Sequence, residues 1–145
     1  MRNEWNLWVV GGDMRQAKLA ELLAEDGHTV HTWALEGAEE AVEPAERLEE
    51  ARLADCVILP LPVTRRGEIL HTPLSREEVT LPQLLEQVHS LARCHRAYAA
   101  NLLYVCRVSR NELVLVEGTH LPVGRKYYSD LCQKFDELYQ REQNG

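Results

Sequence analysis

The most restrictive feature of this chain lies near its start, where the short apolar run Trp5 to Val10 stops at Gly11-Gly12-Asp13. An apolar run closed by two glycines reads as a buried strand entering a tight turn. The period then changes. From Met14 to Asp26, Leu19, Leu22 and Leu23 fall on one helical face, while Ala17, Ala20 and Ala24 allow close packing on a sheet. Asp13 stands where an N-cap belongs, and Gly27 where a helix turns left-handed at its end. Thr29 to Ala34, rich in β-branched and aromatic residues, reads as a second strand. Strand, helix and strand in this order predict a right-handed parallel crossover. The expected fold class is α/β: a Rossmann-like three-layer domain with a mostly parallel sheet, a single domain over residues 1–145.

Further along, Ala54 to Pro60 is apolar on both alternations, as a central parallel strand should be, and it stops at Pro60. Leu61 to Leu74 reads as an excursion, an extended hairpin turning at Gly67. Thr80-Leu81-Pro82-Gln83 carries a Thr cap, an early proline and a Gln three residues on, so a helix starts there, with Leu84, Leu85, Val88 and Leu91 as its apolar stripe. Glu36 to Glu50 is dense in glutamate and reads as a solvated amphipathic helix, interrupted or started at Pro44 and anchored by Leu48; a partner-binding acidic surface is the alternative. Leu102 to Val108 and Leu113 to Val116 predict two strands around Ser109-Arg110-Asn111. Ser129 is placed to cap a last helix with Leu131, Phe135, Leu138 and Tyr139 on one face, ending in a tail, Gln143 to Gly145, that should fray.

Bulk chemistry narrows the function classes. With 23 acidic and 16 basic side chains the net charge is −7, and no basic stripe interleaved with aromatics points to nucleic acid. The polar first residues, Met1 to Trp5, are followed by no apolar signal core, and no uncharged stretch approaches the roughly 18 residues of a membrane helix. The chain is therefore expected in the cytoplasm, off the membrane. Cys56, Cys94, Cys106 and Cys132 are too scattered for a disulfide framework. His89, Cys94 and His95 fit zinc-ligand spacing only loosely, so no metal is expected. No P-loop, G-x-S-x-G or H-E-x-x-H motif occurs.

The glycine turn itself lacks a dinucleotide fingerprint. G-x-G-x-x-G uses glycines to bring backbone close to a pyrophosphate, and its third glycine is missing whether Gly11 or Gly12 is taken first. Asp13 moreover sets a carboxylate where the phosphate would sit, and two anions at one helix N-terminus oppose each other. Arg15, at the mouth of the crevice, has the fork geometry to hold a ligand carboxylate through parallel hydrogen bonds. The plainer reading is that Asp13 only caps and Arg15 is solvated. Thr64, Arg65 and Arg66 bring a hydroxyl and two cations to the same sheet edge, unless they form only an exposed turn.

Three segments carry a family resemblance: Val9-Val10-Gly11-Gly12-Asp13-Met14-Arg15-Gln16, then Asp55-Cys56-Val57-Ile58-Leu59-Pro60-Leu61-Pro62-Val63, then Leu74-Ser75 before Glu77-Glu78-Val79. Over roughly residues 5–92 the chain resembles the N-terminal domain of the dipicolinate synthase A-subunit. The resemblance implies a substrate-side part in the NAD(P)-dependent oxidation of dihydrodipicolinate to dipicolinate, the spore-core chelator of endospore-forming bacteria. It implies that Gly11, Gly12, Asp13, Arg15 and Gln16 line a cleft for a small dicarboxylate, to which Thr64 is added as a further candidate. It also implies that NAD(P) belongs to a separate C-terminal domain, and that the flavoprotein-like B-subunit of dipicolinate synthase is a partner. No cofactor site is expected within this chain, which alone should not run the oxidation. Residues 93–145 depart from the pattern, with Leu121-Pro122-Val123 and Tyr127-Tyr128-Ser129-Asp130 echoing the family's inter-domain connection. The rival readings are a non-catalytic protein-interaction or small-ligand module and a small standalone enzyme. The second lacks any nucleophile–base pair or metal spacing.

Overall fold

The computed structural model describes residues 4–65 and 67–144, with side chains as far as Tyr139. The polar start at Met1 to Asn3, Arg66 of the expected hairpin turn and Gly145 of the tail lie outside the described residues. The opening apolar run is β1 (Asn6–Val10), followed by α1 (Met14–Glu25) and β2 (Thr29–Trp33). Next come β3 (Glu43–Pro44), a 3-10 helix (Leu48–Leu53), β4 (Cys56–Ile58) and a small hairpin of β5 (Thr64–Arg65) and β6 (Ile69–Leu70). The chain continues through α2 (Leu81–Gln87), β7 (Leu91–His95) and β8 (Tyr98–Asn101).

Six of these strands form one sheet in the order β3-β2-β1-β4-β8-β7. The pairs β3–β2, β2–β1 and β1–β4 are parallel, whereas β8 runs antiparallel to both β4 and β7. The architecture is therefore mixed α/β with a largely parallel central sheet. Because β1, β2 and β4 point the same way, Val10, Trp33 and Ile58 end at one edge, and the loops that follow them meet there.

Strand alternation sends side chains to two faces. Trp8, Val10, Val57, Leu59 and Ala99 pack on Leu48 and Ala51 of the 3-10 helix, Leu70 of β6 and Leu84 of α2. On the other face Val9 and Val30 meet Ala17 and Ala20 of α1. The small side chains of α1 thus make the sheet contact, as expected, while Leu22 is 46% exposed rather than part of an apolar face.

The rest of the chain forms a second, antiparallel layer. A three-stranded sheet of β9 (Val105–Val108), β10 (Glu112–Leu115) and β11 (His120–Pro122) has the order β11-β10-β9, and α3 (Tyr128–Asn144) closes the chain. Leu113, Leu115 and Leu131 bury against Ala92, Cys94 and Ala100 of the large sheet. At the amino ends of the central strands, the fully buried Asn101 donates from Nδ2 to the carbonyls of Arg52 (2.7 Å) and Ala54 (2.9 Å).

Several expectations are corrected. Glu36 to Glu50 is not a helix: it holds a turn, β3 at Glu43–Pro44 and the start of the 3-10 helix, although Leu48 is buried as its anchor. Leu91 belongs to β7, because α2 stops at Gln87. Ser129 lies inside the last helix, which is entered through a 3-10 turn (Arg125–Tyr127), and Tyr139 is exposed. Among the described residues, no helix is long and apolar enough to cross a membrane, and no group of three or more His, Cys, Asp or Glu could hold a metal ion.

Candidate functional site

The strand order reverses beside β1: β2 and β3 lie on one side and β4 on the other. In open α/β sheets, ligands bind outside the carboxyl ends of the strands at such a point. The turn Gly11-Gly12-Asp13 lies there. Gly11 has φ +62° and Gly12 φ +95°, conformations that side-chain-bearing residues rarely adopt. The Gly11 N–H donates to the Trp33 carbonyl (2.8 Å), and the Gly12 N–H donates to the His71 carbonyl (2.7 Å). Both amides are thus occupied by backbone acceptors.

His71 arrives from the hairpin excursion. Its own N–H donates to the Val63 carbonyl (3.0 Å), so the returning strand is tied to the exit of β4 before it touches Gly12. A Cβ at position 11 would meet the His71 carbonyl oxygen at 2.8 Å and the Thr72 methyl at 3.0 Å. The glycine is required by this close approach within the chain. Thr72 is buried and its hydroxyl donates to the Glu77 carbonyl (3.0 Å), which holds the segment in place.

Asp13 caps α1: its carboxylate accepts from the Arg15 N–H at 2.9 Å. The Arg15 guanidinium then folds back onto the same carboxylate, Nε lying 3.1 Å from both oxygens and Nη2 2.9 Å from Oδ2. Nη2 also reaches toward the Leu61 carbonyl at 3.4 Å. These hydrogen bonds from Arg15 hold the Asp13 carboxyl below its usual range, and the charge of nearby His71 adds to the effect. Gln16 donates from Nε2 to the Leu59 carbonyl (3.2 Å), linking α1 to the end of β4.

The structure therefore brings Gly11, Gly12, Asp13, Arg15 and Gln16 together around the β1 exit. Thr64 lies on β5, opposite Leu70, and its neighbour Arg65 lies 4.0 Å from Glu78. The open space lies toward β2. A cleft of about 490 Å³ is lined by Met14, Glu36, Gly37, Pro73, Leu74, Ser75 and Arg76. Of these, Arg76 is a cation and Ser75 a hydroxyl that accepts from the Glu77 N–H (3.0 Å).

Sequence reasoning missed His71, Ser75 and Arg76. His71 acts on the turn through its backbone carbonyl, which residue type does not reveal. Leu74-Ser75 lies within the segments that carried the family resemblance, and Arg76 directly follows it.

The comparisons with known proteins agree with the amino-terminal part of this picture. A family model described as the N-terminal domain of the dipicolinate synthase A-subunit matches residues 6–94, from the start of β1 almost to the end of β7. A second family model, the LytTr DNA-binding domain, matches residues 71–136. No curated protein matches the chain, and no solved structure does. The first match takes in most of the chain and every residue of the glycine turn, so the chain belongs to the family of dipicolinate synthase A-subunit N-terminal domains.

Proposed function

We propose that this chain is the substrate-side part of an NAD(P)-dependent oxidation of dihydrodipicolinate in sporulating cells, inactive alone. It acts in the cytoplasm beside a separate nucleotide-binding domain and the synthase's B-subunit. The Rossmann-like description belongs to the same proposal: β1, α1 and β2 supply the crossover, and β4 the return across the switch point. The observation that carries the reading is the occupied pair of amides at Gly11 and Gly12, with the Asp13 carboxylate in front of them. A pyrophosphate needs free backbone donors at this position. Here they are hydrogen-bonded to carbonyls, which supports placing NAD(P) on the separate domain.

A small dicarboxylate does not need those amides. Arg76 in the cleft is one candidate partner for a ligand carboxylate. Arg15 is a second: Asp13 takes its Nε and Nη2 side, which leaves Nη1 as a donor. Asp13 is then a positioning residue that fixes the guanidinium, and Gln16 ties the helix to the β4 exit. Dipicolinate, a stable dianion, is the probe for this reading. Calorimetric titration is expected to show weak binding, and Arg15→Ala or Arg76→Ala to weaken it roughly tenfold, the loss of one charge-assisted hydrogen bond of about 1.5 kcal/mol. No heat at millimolar dipicolinate, or unchanged affinity in both variants, would contradict it.

A second reading concerns residues 71–136, where the LytTr DNA-binding domain model matches. It gives the β7 to α3 region a nucleic-acid contact of its own, against the expectation from overall charge.

A further inference from the structure

We propose that the cleft between the β9–β10 turn and the entry to α3 is a binding site for a phosphate group. Its cavity, about 610 Å³, is lined by Arg110, Asn111, Val123, Arg125 and Tyr128. None of these residues belongs to the glycine turn or its cleft, so the inference stands independently of the dicarboxylate reading.

Two separate elements build the site. Arg110 and Asn111 lie at the turn between β9 and β10, where the Ser109 N–H (2.8 Å) and hydroxyl (2.9 Å) both donate to the Glu112 carbonyl. The Val123 N–H donates to the Asn111 carbonyl at 2.9 Å, which lays the segment leading to α3 against that turn. Two residues later Arg125 opens the 3-10 turn that continues into α3, and no side chain caps it. Arg110 and Arg125 thus line one cleft from two separate elements, each beside hydrogen-bonded backbone. Tyr128 adds a hydroxyl and Asn111 an amide.

Among the described residues, neither Arg110 nor Arg125 has a carboxylate partner within ion-pair distance. The carboxylates nearest in sequence are engaged or placed elsewhere. Glu112 holds His120 at 3.0 Å, and Asp130 lines a different cleft with Arg93, Tyr127 and Lys134. The wider field agrees: residues 93–145 carry eight Lys and Arg against six Asp and Glu, while residues 1–92 carry eight against seventeen. Two guanidinium forks on one cleft supply more donors than one planar carboxylate accepts, and suit a tetrahedral dianion, whose oxygens diverge.

The phosphate can belong to a free phosphate ester or to a nucleic-acid backbone, and the test separates the two. In ¹H–¹⁵N spectra of the full chain, inorganic phosphate is expected to shift the amides of Arg110, Asn111, Arg125 and Tyr128. Arg110→Ala and Arg125→Ala should each weaken that binding tenfold or more. Both side chains are exposed, so an unchanged thermal midpoint checks that the variants fold. A fluorescent DNA duplex forms the second arm. Salt-sensitive binding lost in the double variant assigns the phosphodiester source, whereas duplex binding unaffected by it, beside intact phosphate binding, assigns a free ester. Phosphate that leaves those four amides unmoved, or binds the double variant as well as the parent, would overturn the proposal.

Discussion

Arg15 and the Arg110–Arg125 pair occupy opposite electrostatic situations. Arg15 stands in the most recognisable motif of the chain, yet its guanidinium is clamped by the carboxylate two residues before it. Arg110 and Arg125 stand in ordinary turns and face a cleft without an ion-pair partner among the described residues. The backbone shows the same contrast. At the glycine turn the amides are saturated by the Trp33 and His71 carbonyls, while the 3-10 turn before α3 starts uncapped. A motif marks where a chain is constrained, and here much of the constraint is internal: Gly11 is glycine because His71 and Thr72 press on it.

The two regions should part most clearly when a glycine turn in each is disturbed by the same kind of change. Gly11→Ala combines a positive φ with a Cβ 2.8 Å from a backbone oxygen, and should cost about 3 kcal/mol in urea unfolding. Gly118→Ala, in the turn between β10 and β11, meets the φ penalty alone (φ +101°), because nothing lies within 4 Å of its Cβ position. It should cost about 1 kcal/mol. Equal losses at the two positions would mean that the His71 segment does not rest on the turn.

The smallest effect concerns the clamp itself. Arg15 holds the folded-state pKa of Asp13 below its ordinary value of 3.8. Between that lowered pKa and the unfolded one, the unfolded chain carries the extra proton. The pair's contribution is therefore complete above the unfolded pKa and lost as pH falls through the folded one. A carboxyl ¹³C titration should place the Asp13 midpoint below the usual range, and Arg15→Ala should raise it toward that range, the backbone N–H of residue 15 still holding part of the shift, with almost no change in unfolding at neutral pH. A normal midpoint in the parent chain would mean that the clamp is open in solution, and Arg15 as free as Arg110.

What could be read in the sequence was local. β1, α1 with its Asp13 cap, the hairpin turning at Gly67 and the capping box of Thr80 and Gln83 each carry their signal within a few residues, and each forms. The failures are tertiary. Leu91 fits a helical stripe, but β7 claims it by pairing with β8 opposite Asn101. Leu22 belongs to an apolar pattern whose sheet contact is made by alanines. The glutamates after Glu36 give way to a short edge strand on β2. At the site, Asp13, Arg15 and Gln16 were legible as motif residues, and Thr64 lies on β5 of the hairpin. His71 was invisible because it acts through a carbonyl, and the Arg110–Arg125 cleft because the two arginines meet only once the segment before α3 folds back onto the β9–β10 turn.

The central claim is that the glycine turn serves the substrate side and not a dinucleotide. Its most direct test is an amide-resolved ¹H–¹⁵N titration of the whole chain, with dipicolinate in one series and NADH or NADPH in the other. Dipicolinate is expected to move the amides of Met14, Arg15, Gln16 and Arg76, while the nucleotides leave Gly11, Gly12 and Asp13 unmoved. Nucleotide-induced shifts at Gly11 and Gly12, with dipicolinate silent, would contradict it.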